Sequence, residues 1–197
     1  MHIEIRRLTP DLVDDYVRFF DTTPHADKKG DHRCYCVWWC NDDYTGKDLT
    51  TSVEIRREYA IQCVKGDNIQ GYLAYCGDEV VGWCNANTKM DCLNCYCWRR
   101  FMGSVPTEES TPDIKVKSIF CFAIAPKMQR RGIASRLVER VCVDAAKDGF
   151  AFVEAYPNKE FMDEAEDFMG PVALYKKSGF SEYYETEEKL VMRKRLK

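Results

Sequence analysis

Long apolar runs and an excess of charge of one sign are both missing from this sequence. No run of apolar residues approaches the roughly 18 that a membrane-spanning helix needs. The 29 basic side chains are balanced by 32 acidic ones, so the basic surface that nucleic-acid binding requires is not expected. Residues 1–10 are charged and alternating, without the apolar core of a signal peptide. We therefore expect a soluble, cytoplasmic protein that binds neither nucleic acid nor membrane.

Internal repeats, low-complexity tracts and Gly/Ser linkers are also absent, so nothing divides the chain into two folding units. Apolar residues make up 45% of the chain and aromatic residues 13%, which is enough for a full core. We predict one domain over residues 1–197. Two segments interrupt its periodic pattern and are interpreted as insertions: a Cys- and Trp-rich loop at about 21–49 and a Cys-rich segment at about 87–113.

The spacing of apolar residues predicts a mixture of strands and helices. Residues 116–124 are almost wholly apolar, which is typical of a strand buried on both faces. Gly77-Asp78 separates two β-rich runs, Ile69–Cys76 and Glu79–Asn85, and predicts a hairpin. The other predicted strands are 2–8, 150–155, 180–187 and 189–195, and the predicted helices begin at Pro10, cover 50–65, run from Gly132 to about Gly149, and cover 172–177. This order predicts an α/β fold with a partly antiparallel sheet.

The segment that follows the buried strand carries the clearest chemical signal. Residues 124–135 read IAPKMQRRGIAS, a strand end, a short basic turn and the start of an amphipathic helix. Backbone N–H groups at such a turn are unpaired and attract anions. Gly132 lets the main chain approach a ligand closely, and Arg130 and Arg131 add charge for phosphate oxygens. These features indicate a diphosphate site.

Two motifs in this half of the chain resemble one family. Gln129-x-x-Gly132-x-Ala134, after a hydrophobic strand, resembles the pyrophosphate signature Q/R-x-x-G-x-G/A of the GNAT superfamily of N-acetyltransferases. The run from Tyr175 to Phe180 is similar to that family's Y-x-x-x-G-F element, which joins a helix to a strand. The resemblance implies a central sheet of about seven strands, splayed at the fourth and fifth and flanked by helices. It also implies acetyl-CoA as the cofactor.

The same resemblance implies which residues hold that cofactor. The main chain at the splayed end of the fourth strand would hold the acetyl carbonyl and the pantetheine, and the basic turn would hold the pyrophosphate. Asn158 lies where some relatives use an asparagine for the cofactor. The implied cofactor-binding residues are Phe122, Ala123, Ile124, Gln129, Arg130, Arg131, Gly132, Ile133, Ala134, Ser135 and Asn158.

Two residues are candidates for proton transfer, because an amine must lose a proton before it attacks a thioester and the leaving thiolate must gain one. Glu154 lies inside a hydrophobic strand, where burial could make it a base, directly or through water. The alternative is a structural carboxylate paired with an arginine. Tyr175 matches the family's frequent general acid. Its alternative is a tyrosine that packs the helix onto the sheet.

The resemblance implies that the acceptor binds near the amino-terminal helices and loops. There Tyr35, Trp38 and Trp39 could line an apolar pocket or stack on a cation. Alternatively, these rings pack the loop onto the sheet. Four acidic residues could favour a cationic acceptor if they face the cleft, or could form a solvated helix face. They are Asp163, Glu164, Glu166 and Asp167.

Eleven cysteines are many for this length, but without an export signal free thiols are expected. Cys92, Cys95 and Cys97 form C-x-x-C-x-C, yet a second pair at the spacing typical of zinc sites is missing. We therefore predict no metal. Cys121 could act as a nucleophile, but on an apolar strand it is expected to be a small buried hydrophobe.

The function that follows is transfer of an acetyl group from acetyl-CoA to a primary amine, on a small molecule or a peptide, by direct attack in a ternary complex. Two alternatives remain: a CoA-binding sensor without turnover on the same fold, and a zinc or thiol redox protein. The oligomeric state is open between monomer and homodimer.

Overall fold

A computed structural model describes residues 2–26, 32–40, 52–107, 113–163 and 165–196. Within these residues seven strands form one sheet in the order β1-β2-β3-β4-β5-β7-β6. Only β4 and β5 are parallel neighbours in the described sheet. The strands are β1 (Glu4–Arg7), β2 (Gly71–Cys76), β3 (Glu79–Thr88), β4 (Val116–Ile124), β5 (Phe152–Ala155), β6 (Ser181–Glu185) and β7 (Leu190–Arg195). The predicted mixed, partly antiparallel sheet is confirmed.

Helices cover both faces of this sheet. The α-helices are α1 (Val13–Thr22), α2 (Val53–Lys65), α3 (Tyr96–Phe101), α4 (Ile133–Lys147) and α5 (Val172–Lys177). Apolar side chains of α1, α2 and α3 form one core on the first face, and those of α4 and α5 form a second core on the other. None of the described helices is long and apolar enough to span a bilayer.

The central strand β4 has the bounds that its apolar sequence predicts, and its first six residues are buried. The hairpin is also confirmed, with Gly77 in the left-handed region at its turn. β3 is longer than predicted because it stays paired with β4 as far as Thr88 and Lys117. The predicted insertion at 87–113 therefore contains the end of β3 and the helix α3, and its residues 108–112 lie outside the described part of the chain.

The two parallel strands separate halfway along β4. Their pairing ends at Ile119 and Ala155, whereas β4 continues to Ile124. At the same level the pairing of β4 with β3 shifts by one residue, because Asn85 pairs with Cys121 and Ala86 with Ile119. Phe120 is thus the extra residue of a β-bulge, which bends a strand and is frequent beside active sites. The splay at the fourth and fifth strands is confirmed.

Candidate active site

The turn after β4 presents a row of unpaired backbone donors. Gly132 is the N-cap of α4 and has φ +79°, and a side chain built on it would meet no atom within 4 Å. Within the described residues, the backbone N–H groups of residues 130–135 donate no hydrogen bond, and the first to do so is that of Arg136, to the Gly132 carbonyl. Arg130 also has a positive φ, of 57°. Successive free N–H groups at a helix start form an anion site.

Some side chains around this turn are buried, and others are exposed to solvent. Ile133 is buried against the second core and fixes the start of α4. Arg130 and Arg131 are exposed, and neither forms an ion pair with a described residue. The turn therefore combines open space, unpaired N–H groups and two available guanidinium groups, which together fit a diphosphate.

Phe122 and Tyr175 lie next to each other at the splay. No motif in the sequence predicts this proximity. A side-chain carbon built on Gly170 would be 3.2 Å from the Phe122 ring and 3.3 Å from the Tyr175 hydroxyl oxygen. Gly170 has φ +82°. The connection between β5 and α5 thus passes directly beside the free end of β4.

The carbonyls of Phe168 and Met169, in the connection between β5 and α5, accept hydrogen bonds from two groups at the splay. The Phe122 N–H donates to the Phe168 carbonyl at 2.7 Å, and the Tyr175 hydroxyl donates to the Met169 carbonyl. Tyr175 is fully buried, and burial raises its pKa well above the ordinary value, so the hydroxyl keeps its proton at neutral pH. Phe168 and Met169 are residues that the sequence analysis did not single out, because no motif marks them.

Glu154 is fully buried and both of its carboxylate oxygens are occupied. One oxygen accepts hydrogen bonds from the Arg193 Nε, at 2.8 Å, and from Arg193 Nη2. The other accepts from Tyr156, at 2.8 Å, and pairs with Lys89 Nζ, at 2.9 Å. The geometry is that of the alternative interpretation, a structural carboxylate paired with an arginine. Glu154 has no exposed surface with which to reach an amine.

Other groups complete this polar cluster, which we call the Glu154 network: Ser118, Tyr156, Glu154, Lys89 and Arg193. Ser118 and Tyr156 share a hydrogen bond of 2.7 Å between their hydroxyls, and the Lys89 ammonium also donates to the Pro106 carbonyl at 2.7 Å. Arg193 lies directly opposite Glu154 on the neighbouring strand. Because side chains alternate along a strand, Tyr156 is expected on the same side of the sheet as Glu154. No local sequence pattern identifies Lys89 or Arg193 as partners of Glu154.

Asn158 is held within the protein. Its amide nitrogen donates to Asp167 Oδ1 at 3.0 Å and to the Glu166 carbonyl at 3.3 Å, and its amide oxygen accepts from Lys189 Nζ at 2.6 Å. These contacts fasten the connection after β5 to the β6–β7 hairpin. A contact between Asn158 and the cofactor remains a prediction.

The aromatic residues of the loop pack mainly onto the sheet. Trp39 is buried and stacks on Phe120 with ring centroids 4.4 Å apart. Tyr35 is buried, and its hydroxyl donates to Asp21 at 2.7 Å. Trp38 keeps part of its surface exposed and lies 5.4 Å from the ring of Tyr96. Of the three predicted acceptor residues, Trp38 is thus the one left with accessible surface.

Asp163, Glu166 and Asp167 lie in irregular or turn segments and not on a helix. Asp163 Oδ1 accepts the N–H groups of Ala165 and Glu166 at 2.7 and 2.9 Å, and Asp167 Oδ2 accepts that of Met162 at 2.7 Å. These carboxylates therefore stabilise the local backbone. Glu164 lies outside the described residues.

All eleven cysteines are described and are free thiols. The described residues contain no group of three or more His, Cys, Asp or Glu that could hold a metal ion. The Cys36 sulfur accepts a hydrogen bond from Asn85 Nδ2 at 3.4 Å. Although burial opposes it, interactions with the neighbouring side chains of Cys121, Trp83 and Asn85 lower the pKa of Cys36. Its neighbour Cys121 has a raised pKa because of Cys36 and of burial, so its thiol stays protonated.

Comparisons with known proteins agree with this geometry. Residues 11–180 match the model of the acetyltransferase (GNAT) family. The chain therefore belongs to the GNAT acetyltransferase family. No curated protein sequence matches it.

Several solved structures share the fold at low sequence identity. A GNAT-family acetyltransferase from Streptococcus pneumoniae is 16% identical over 100% of both chains, with a TM-score of 0.55. PaiA N-acetyltransferase from Thermoplasma acidophilum, solved in complex with coenzyme A, is 14% identical over 99% of both chains, with a TM-score of 0.53. The putative acetyltransferase YncA from Salmonella typhimurium, solved with acetyl-CoA, is 12% identical over 99% of this chain and 94% of its own, with a TM-score of 0.53.

Replacing Glu154 by glutamine tests the structural interpretation of this residue. Because the change leaves the Lys89 and Arg193 charges buried without their partner, we expect it to destabilise the fold by about 3–5 kcal/mol. The control is Glu182→Gln, which breaks an exposed ion pair with Lys176 and should cost less than about 1 kcal/mol. Urea unfolding measures both changes. Equal, small losses in the two variants would show that the Glu154 network does not stabilise the fold.

Proposed function

We propose that this protein is an N-acetyltransferase that moves the acetyl group of acetyl-CoA to a primary amine by direct attack in a ternary complex. The observation that carries the proposal is the row of unpaired N–H groups at residues 130–135, at the end of a strand that has separated from its neighbour. Family membership and the CoA-bound structures with the same fold support it.

The basic turn is the part of the chain that would hold the pyrophosphate. Its six free N–H groups and the start of α4 favour a negatively charged ligand. The open space above Gly132 lets that ligand approach the main chain. The exposed Arg130 and Arg131 would add charge-assisted hydrogen bonds at the rim.

The end of β4 would hold the acyl end of the cofactor. The Phe122 N–H points into the splay, where it now donates to Phe168, and the two-residue period of a strand directs the N–H of Ile124 to the same side. An acyl carbonyl oxygen bound here would replace the Phe168 carbonyl as the acceptor. Cofactor binding therefore requires residues 165–170 to move out of the splay.

When bound, acetyl-CoA supplies the reactive thioester. The Phe122 N–H would then donate to the oxygen on which negative charge develops as the amine attacks. Tyr175, freed from Met169, would donate its hydroxyl proton to the departing sulfur, since burial raises its pKa and keeps the hydroxyl protonated. Because Glu154 is enclosed by its partners, we assign removal of the amine's proton to water and a structural role to Glu154.

The acceptor would bind on the face of the sheet that α1 and α2 cover. Trp38 keeps exposed surface there, and an aromatic ring can contact an apolar or cationic amine. We therefore propose Trp38 as an acceptor contact, with Tyr35 and Trp39 as the packing that holds its loop.

A leucine at position 132 tests the pyrophosphate site. Gly132→Leu should weaken acetyl-CoA binding at least about 100-fold, or about 2.8 kcal/mol, because its side chain fills the space over the free N–H groups. Gly149→Leu is the matched control, since Gly149 ends the same helix with the same φ of 79° and equally open space. Titration calorimetry measures both affinities. Tight binding by a folded Gly132→Leu variant would move the cofactor elsewhere.

Removing the Tyr175 hydroxyl tests the proton donor. Tyr175→Phe should lower kcat for CoA release with an amine panel by about 10²-fold, the lower range for general acid catalysis, with little change in acetyl-CoA affinity. Tyr75→Phe, which removes a hydroxyl bonded to Asp15, should leave kcat unchanged. Unaltered turnover in Tyr175→Phe would exclude this residue as the acid.

Hydrogen exchange tests the displacement of the splay segment. Backbone amides of residues 165–170 should exchange faster when acetyl-CoA is bound, whereas the Phe122 N–H should stay protected because it gains a new acceptor. Peptides from the β2–β3 hairpin serve as the internal reference. Increased protection across 165–170 would mean that the segment stays in the splay and that the acyl group binds elsewhere.

A further inference from the structure

A cavity lies at the other end of β4, away from the splay. It has a volume of about 250 Å³, and its lining includes Arg7, Gln70, Tyr72, Thr88, Lys117 and Phe150. Lys117 is the second residue of β4, whereas Phe122 is the seventh. The cavity is thus separate from the proposed acetyltransferase site and has no part in its mechanism.

Lys117 is the unusual member of this cavity. Only 7% of the residue is exposed, and its ammonium nitrogen donates to the neutral Gln70 amide oxygen at 2.9 Å. The same nitrogen lies 5.1 Å from the centre of the Phe150 ring. Among the described residues no carboxylate forms an ion pair with it. A buried amine without a counter-ion favours its neutral, nucleophilic form.

The charges around Lys117 partly cancel. Asp148, at the cavity wall, is bound by Arg7 at 2.7 Å, and Asp67 lines the cavity as well. Burial, with a smaller contribution from Arg7, lowers the pKa of Lys117 to about 8, against weaker opposing effects of Asp148, Cys92 and Asp67. About a tenth of the amine is then neutral at pH 7, compared with under a thousandth for an ordinary lysine.

We propose that Lys117 is a modification site, at which the side-chain amine accepts an acyl group from an activated donor, an acyl phosphate or an acyl thioester. The neutral nitrogen forms a bond to the donor's carbonyl carbon, and the bond from that carbon to oxygen or sulfur breaks. Phosphate or thiolate leaves, and the proton lost from nitrogen goes to solvent or to the leaving group. No oxidant or reductant is needed.

The product suits the cavity better than the starting ammonium. An amide carries no charge, so the cost of burying Lys117 without a counter-ion is removed. Its remaining N–H can still donate to Gln70, and a two-carbon acyl group is small compared with the 250 Å³ available.

Competitive acetylation of the folded, full-length chain tests the site. The protein is treated with limiting acetyl phosphate and, separately, with acetyl-CoA between pH 6 and 10, and each lysine is quantified by peptide mass spectrometry. We expect Lys117 to react about tenfold faster than the exposed Lys127 and Lys147 at pH 7.5. This ratio of rates is smaller than the ratio of neutral amine fractions, because burial slows access of the donor to Lys117. Its rate should reach half of its maximum near pH 8, and the advantage should disappear in urea.

A charge substitution separates the environment of Lys117 from simple accessibility. Gln70→Glu places a carboxylate beside the amine and should slow its acetylation at pH 7.5 at least about fivefold, whereas Gln62→Glu, the same change on the exposed surface of α2, should not. Reaction with acetyl phosphate but not acetyl-CoA identifies the donor as an acyl phosphate, and the reverse identifies a thioester. In the unsubstituted protein, labelling of Lys117 no faster than that of Lys127 with either donor would overturn the proposal.

Discussion

β4 and β5 pair over four residues, and β4 then runs on for five more without this partner. In a sheet interior such a gap leaves backbone donors without acceptors, which is costly unless other groups bind them. The bulge at Phe120 turns the strand at the point where the pairing ends. The Phe122 donor, the approach of Tyr175 and the direction in which the basic turn leaves β4 all follow from this divergence.

The structure satisfies the opened donors with its own chain. The Phe168 and Met169 carbonyls bind the same two groups, the Phe122 N–H and the Tyr175 hydroxyl, that an acyl thioester would use. The donors at the phosphate end, by contrast, have no partner among the described residues. In the proposed mechanism, binding energy at the basic turn would therefore offset the cost of displacing residues 165–170, as expected where remote binding energy is used to organise a reacting centre.

Burial and pairing support a structural role for the Glu154 network. The carboxylate joins β5 to β7 through Arg193 and to the end of β3 through Lys89, so three parts of the sheet are connected beside the splay. A fully buried ionised group persists only when opposite charges and hydrogen bonds surround it. The contacts that make Glu154 stable in a hydrophobic strand are those that keep it from an amine. Lys117 is the opposite case, because its hydrogen-bond partner among the described residues is a neutral amide.

The sequence by itself determined the local elements and the basic turn before α4. The bounds of β4, the hairpin at Gly77 and the start of α4 follow from apolar periodicity and from Gly132, because these signals act between neighbours in the chain. Tertiary structure decided the contacts of Glu154, Asn158 and Trp39, since their partners Arg193, Lys189 and Phe120 lie 39, 31 and 81 positions away. It also decided that Phe168 reaches Phe122. Such pairings depend on which strands become neighbours and where they separate, and no local pattern of residues records that.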